Sequence, residues 1–287
     1  MLADLHLQHF RSYKDDSFEF SPGVNIVVGP NASGKTNLLE AVLVLARGNS
    51  YRAKDGELVQ FDHSWARLDT HLLSGSERTI KLSPEATPAK LYELDGKSYK
   101  RLTLNHTLPV VLFEPNHLQL LSGSPDRRRD YLDDLLEQTV VGYGNLRRQY
   151  KRALAQRNAL LKQPGISTQL FPWNVRLSEL AGQIVKQRSQ LVTQLAKAVT
   201  DLYKDLSHTK TRVSLQYECP WPQGSYESQL LKKLEMNAEL DSQRGFTSAG
   251  PHREDLSVLF DGRPSQETAS RGEVRTAVLA LKITELK

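Results

Sequence analysis

The chain has 287 residues, a formal net charge of +5, a pI near 9.2, and 25% charged residues. That length predicts roughly two domains with enough chain for one large core and a satellite, and the positive charge predicts attraction to polyanions. The lone Cys219 excludes an internal disulfide and any cysteine-based zinc ligand set, pointing to a reducing cytoplasm. The opening MLADLHLQHFRSYKD has no basic region followed by an apolar run, and no stretch of about eighteen apolar residues follows anywhere, so neither secretion nor a membrane partner is expected.

Leu2 to Phe10 alternates loosely, and Phe18, Phe20 and Val24 resume the alternation after the polar stretch Ser12 to Asp16, which predicts two strands joined by a hairpin. An apolar β-type run, Val24 to Val28, then meets Gly29-Pro30-Asn31-Ala32-Ser33-Gly34-Lys35-Thr36, and a helical pattern begins at Lys35. This is a full match to G-x-x-x-x-G-K-[ST] between a strand and a helix, the phosphate-binding loop of nucleotide-hydrolysing α/β proteins. The glycines let backbone N–H groups converge on an anion, and the helix N-terminus adds roughly half a positive charge behind them. Lys35 is the expected partner of the β and γ phosphates of ATP, and Thr36 the expected Mg²⁺ ligand. Gly29 through Asn37 are therefore the candidate nucleotide-binding residues, with Lys35 as the catalytic candidate. The hairpin turn should lie near this loop, which makes Arg11 and Ser12 candidates for the base or ribose, Arg11 by stacking; a plain solvated turn is the alternative.

Gly48-Asn49-Ser50 supplies a helix stop. From Leu58 to Phe113 short strands are expected at Trp65–Leu73, Thr79–Leu82, Lys90–Leu94, Lys97–Lys100 and Leu108–Leu112, with Asp95-Gly96 as a hairpin signal. Val110 to Phe113 has the apolar character of a buried sheet strand. Ser124-Pro125-Asp126 opens a helical tract in which Leu132, Leu135, Leu136 and Val140 form one stripe. Leu146, Tyr150, Leu154 and Leu161 mark a second helix ending at Gln163-Pro164-Gly165, and Leu177 through Leu202 a third, interrupted only by Arg188 and packed antiparallel on the second. Between Gly144 and Lys162 there is no acid, and Arg147, Arg148, Lys151, Arg152 and Arg157 are the candidate DNA-binding residues; a solvated helix face is the alternative. A strand is expected over Arg212–Tyr217, a helix over Ser225–Met236, a strand over Leu256–Phe260, and a last helix after Arg271-Gly272-Glu273. The expected division is 1–122, an ATPase lobe with an antiparallel β block; 123–245, a helical lobe; and 246–287, a return segment.

LHLQHFRSY, GPNASGKTNLLEAV, FEPNHLQLLSGSPDRRRDYLD, Trp173 ahead of the third helix, GPHREDL and Ser270-Arg271-Gly272-Glu273 together resemble the RecF family, bacterial recombination mediator ATPases of the ABC class related to SMC heads. The resemblance covers essentially the whole chain. It implies an α/β ABC-type ATPase head, a P-loop NTPase with an antiparallel β subdomain and a helical second lobe. It also implies a head-to-head homodimer closed by ATP and Mg, in which Ser270 of one copy completes the phosphate site of the other. The implied partners are double-stranded and gapped or junction DNA and other recombination mediators. The implied role is recombinase loading in DNA replication, repair, recombination and the SOS response, with a weak DNA-stimulated ATPase. Two departures stand out. Arg271 and Glu273 occupy positions where transporter ATPases carry Gly and Gln, and Glu273 beside a γ-phosphate would repel it. No run of four apolar residues ending in Asp and a catalytic acid, the Walker B strand, is found before Lys287, which predicts an N-terminal portion with little or no hydrolysis. A transporter ATPase and a DNA-binding module with a vestigial nucleotide site are the alternatives.

Overall fold

The structure is a computed structural model that describes residues 1–163 and 169–286. The chain divides into two compact units, Met1–Leu112 and Phe113–Lys287.

The first unit is one sheet laid over one helix. Strands β1 (Asp4–Phe10), β2 (Tyr13–Glu19), β3 (Ala66–His71), β4 (Glu77–Leu82), β5 (Lys90–Leu94) and β6 (Lys97–Tyr99) pair antiparallel in the order β2-β1-β3-β4-β5-β6. Period-two alternation sends Leu5, Leu7, Ala66, Leu68, Ile80 and Leu82 to one face, all fully buried. Helix α1 (Lys35–Arg47) buries Leu38, Ala41, Val44 and Leu45 in the same cluster, the 3/4 spacing of a single helical stripe. Gly48 ends α1 in the left-handed conformation, its N–H on Val44 O at 2.7 Å. Two buried cations from the sheet then meet the last carbonyls of α1. Arg78 Nη1 donates to Leu45 O at 2.8 Å, and Lys90 Nζ donates to Gly48 O. Cations at this end complement the helix dipole, so the sheet anchors α1 by the end opposite its loop. A short helix, α2 (Asp55–Leu58), follows.

Several expectations are corrected here. The hairpin turn is Arg11-Ser12, since Phe10 pairs with Tyr13 and the residues to Asp16 are already strand. Val24 to Val28 makes no ladder, and Val24, Ile26 and Val28 are 87%, 80% and 82% exposed. Leu108 to Leu112 likewise forms no strand. Both runs have the composition of strands buried in a parallel sheet, but every ladder among the described residues is antiparallel. An apolar run records the preference for such an environment, whereas a ladder needs a neighbouring edge as well.

The second unit is built around helices α3 (Gln119–Ser122), α4 (Pro125–Thr139), α5 (Tyr143–Leu161) and α6 (Leu170–Ser207). Pro125 sits at the first position of α4, where its missing N–H costs nothing. Gly142, in the left-handed region at φ 87°, separates α4 from α5. Pro164 and Gly165, the expected stop of the second helix, lie outside the described residues. At 38 residues α6 is about 57 Å long and includes Trp173 in its first turn, so this tryptophan is in the helix and not ahead of it. Strands β7 (Val213–Glu218), β8 (Asp255–Phe260) and β9 (Arg263–Pro264) make a three-stranded antiparallel sheet, reached from β7 through α7 (Tyr226–Met236) and α8 (Ala238–Arg244). After α9 (Ser265–Thr268), α10 (Arg271–Thr284) buries Ala277, Val278 and Leu281 in one cluster with Leu191, Leu195 and Val199 of α6. The separate return segment expected over 246–287 is therefore part of this unit. Main-chain pairing of β7 with β8 ties 213–218 to 255–260, an interval that no local pattern relates.

Candidate nucleotide-binding site

The loop Gly29–Lys35 is solvent-facing, and its last residues are fixed by the fold. Gly34 has φ 91°, and a Cβ placed there would lie 2.8 Å from Ser12 Oγ and 3.0 Å from the Tyr13 hydroxyl. Only glycine satisfies both the dihedral and the space. Tyr13 donates to Gly34 O at 3.1 Å, which draws the turn residues against the loop. Lys35 Nζ reaches back across the loop to Gly29 O at 2.9 Å and Pro30 O at 2.6 Å, so its cation is already inside the cradle. The first turn of α1 carries no acidic residue to oppose its positive end, and its first N–H groups have no intrahelical acceptor. Thr36 is exposed and makes no side-chain hydrogen bond, leaving its hydroxyl available as one ligand of a Mg²⁺ that keeps several waters. A loop of this form, with a cation within it and an unopposed helix N-terminus behind it, fits a triphosphate.

Behind the loop the structure brings together residues that sequence reasoning did not single out. Glu40, on the second turn of α1, is fully buried. It accepts from Arg11 through Nε and Nη2, both at 2.9 Å, from Arg52 Nη2 at 2.9 Å, and from the Ser50 hydroxyl. Burial pushes the Glu40 carboxyl up, but these donors outweigh it and hold it at about 2. Arg52 Nη2 also donates to Asn37 Oδ1 at 2.7 Å, and Asn37 Nδ2 donates to Ser12 Oγ at 2.9 Å. Ser12 and Asn37 are thus joined to each other beside Gly34. Arg11, expected to stack on the base, has Nε and Nη2 committed to Glu40, and its side chain is 21% exposed. The signal that could have exposed Glu40 is an acid set among the apolar residues of NLLEAVLVL, where burial demands a cation.

In the second unit, Ser270 is exposed and caps α10. Its Oγ accepts from Glu273 N at 3.3 Å, and Glu273 Oε2 accepts from Ser270 N at 2.9 Å. This capping box explains Glu273: its carboxylate is turned back onto the backbone of its own helix. On α5 the five candidate cations separate. Arg148, Lys151 and Arg152 are exposed. Arg147 forms ion pairs with Asp130, Asp133, Asp134 and Glu137. Arg157 is 0% exposed and pairs with Asp241 at 2.8 Å. It is removed from the candidate DNA surface because the same helix that faces solvent at Arg152 faces Asn174 and Asp241 at Arg157. Arg188, the interruption in the third stripe, is buried for the same reason, with Nε 2.9 Å from Asp133. The segments SPDRRRDYLD and GPHREDL meet in this interior, where Arg128 pairs with Asp255 at 2.7 Å and Arg129 Nη1 donates to Glu254 O at 2.7 Å. Among the described residues no helix is long and apolar enough to cross a membrane, and no cluster of His, Cys, Asp or Glu would hold a metal unaided.

The loop and the helix that carries it have the form of an ABC-type P-loop ATPase head, and the family profile described as an AAA domain matches residues 4–241. The chain is 34% identical over 293 residues to the DNA replication and repair protein RecF of Heliobacterium modesticaldum, covering 98% of this chain and 79% of that one. Against RecF of Acidothermus cellulolyticus it is 36% identical over 300 residues, covering 98% and 81%. Two solved structures of the recombination mediator protein RecF, RecF-ATP and RecF-ATPrS of the RecFOR pathway, superpose with TM-scores of 0.87 and 0.89 at 29% identity, covering 80% of each of those chains. The chain belongs to the RecF family.

Proposed function

We propose that the chain is an ATP-binding recombinational repair protein acting as a nucleotide switch. Mg·ATP is held by Gly29 to Asn37, with Lys35 on the β and γ phosphates and Thr36 on the metal. A second copy contributes Ser270 and the N-terminus of its α10 helix to the terminal phosphate, so that ATP drives dimerisation. The dimer holds gapped or junction DNA and assists recombinase loading together with other mediators. Exposed Arg148, Lys151 and Arg152 are the DNA contacts on α5, followed along the helix by exposed Ala155 and Ala159, whose small side chains leave room for a phosphate backbone. The observation that carries this reading is Lys35 seated over the Gly29 and Pro30 carbonyls at the N-terminus of α1, in a family with a solved RecF-ATP structure.

The test is titration calorimetry of the folded chain with Mg·ATP, and the same for Lys35→Ala. Removing one charge-assisted contact should cost about 1.5–3 kcal/mol, tenfold or more in affinity. Sedimentation with ATP, ADP and gapped DNA should give dimers with ATP alone. No uptake of Mg·ATP by the wild-type chain would end the proposal.

A further inference from the structure

A ring of side chains closes behind the phosphate loop. Glu40 bonds Arg11, whose neighbour Ser12 accepts from Asn37; Asn37 in turn accepts from Arg52, and Arg52 returns to Glu40. Covalent geometry completes each step, because Arg11 and Ser12 are consecutive and Asn37 and Glu40 share one face of α1. Arg11 adopts φ 53°, the left-handed region in which arginine is disfavoured and where Gly or Asn would be the expected turn residue. The turn tolerates this cost because the guanidinium is needed at Glu40. Fully buried, the carboxylate is tolerated only with two guanidiniums and a hydroxyl around it.

We infer that Glu40 is a positioning residue for the nucleotide site: it fixes the Arg11-Ser12 turn and Arg52 against the first turn of α1, and so sets the distance between the turn and Gly34-Lys35. The inference rests on the nucleotide reading above and extends it to a residue with no place in the loop motif. It makes a prediction opposite in sign to simple electrostatics. An anion near a triphosphate site repels the ligand, so deleting its charge in Glu40→Gln would tighten ATP binding if Glu40 acted only through its field. A positioning role predicts weaker binding, since one of the two accepting oxygens becomes an NH2 donor facing the groups that donate to it, and the turn loosens.

The experiment is Mg·ATP calorimetry on wild type, Glu40→Gln, Arg11→Gln, Ser50→Ala and the Glu40→Gln/Arg11→Gln double variant, each below its own unfolding transition by circular dichroism. Glu40→Gln and Arg11→Gln should each weaken binding about tenfold, Ser50→Ala two- to fivefold, and the double variant no more than either single one. Should Glu40→Gln fail to fold, Ser50→Ala, which leaves both the carboxylate and Arg11 in place, carries the same test. Equal or tighter affinity in all folded variants overturns the inference while leaving the nucleotide reading intact. Losses that multiply in the double variant also overturn it, because they mean the two residues act independently. A wild-type chain that takes up no Mg·ATP overturns both.

Discussion

Arg157 and Arg152 lie little more than a turn apart on α5 and carry the same charge, yet the fold assigns them opposite behaviour. Arg157 donates to Asn174 Oδ1 at 2.7 Å, Asp241 Oδ2 at 2.8 Å, Thr247 Oγ1 at 2.8 Å and Leu234 O at 3.2 Å. Its partner Asp241 is also 0% exposed. Arg157→Ala strands that carboxylate in the interior, and breaking a buried pair from one side costs about 3–5 kcal/mol. At about 2–4 °C per kcal/mol for a unit of this size, its thermal transition should fall by about 6–20 °C. Replacing both partners by apolar residues, Arg157→Met with Asp241→Leu, should recover a large part of the loss, since no charge is then left uncompensated. Arg152→Ala, on the exposed face, should change stability by no more than about 0.5 kcal/mol. The assay is thermal unfolding followed by circular dichroism and by fluorescence of Trp173 and Trp221, with duplex DNA binding measured at a temperature where every variant is folded. Arg152→Ala should weaken DNA binding and reduce the slope of log affinity against log salt by about 0.9, and Arg157→Ala should do neither. An Arg157→Ala protein that melts with the wild type and binds DNA poorly would refute the reasoning.

Gly34→Ala should abolish measurable Mg·ATP uptake in calorimetry while the sheet remains folded, because the new Cβ would sit 2.8 Å from Ser12 Oγ at a φ that alanine rarely adopts. Gly182→Ala, in the interior of α6, would meet only the exposed and flexible Glu227 side chain, which can swing away, so it should leave denaturant unfolding unchanged or stabilise it by up to about 1 kcal/mol. Burial lowers the His252 imidazole from 6.5 to about 4, its Nδ1 bonded to Tyr150 Oη at 2.6 Å and its Nε2 to Thr247 O at 3.0 Å. The unfolded chain takes up that proton first, so this contribution is complete above about pH 6.5 and is lost as pH falls toward 4, by about 3 kcal/mol in all. Glu254, raised by burial, acts in the opposite direction above its ordinary range, so the check is the difference in unfolding free energy between wild type and His252→Gln across that window, which should shrink as the pH drops.

What the sequence made legible was local. The phosphate-loop motif, the Asp95-Gly96 turn, the start of α4 at Pro125 and the Gly142 break before α5 follow from residue types within a few positions, and β1, β3, β4 and β5 follow from alternation. What it concealed was pairing across the chain. Glu40 is 29 residues from Arg11, 12 from Arg52 and 10 from Ser50, so each looks like an unrelated polar residue until the fold closes the ring. The same reason misplaced the return segment, because β7 and β8 meet over an interval spanning two helices. Basic residues were the most misleading. A run without acids between Gly144 and Lys162 counts as a polyanion surface only if its cations share the solvent face, and helical geometry turns Arg157 inward while Arg147 is met by four carboxylates from α4. Counting charge along a helix therefore overstates the electrostatic footprint wherever a neighbouring helix supplies acids at the matching spacing. On α5, of the five candidate cations, that leaves Arg148, Lys151 and Arg152 exposed for the DNA contact proposed above.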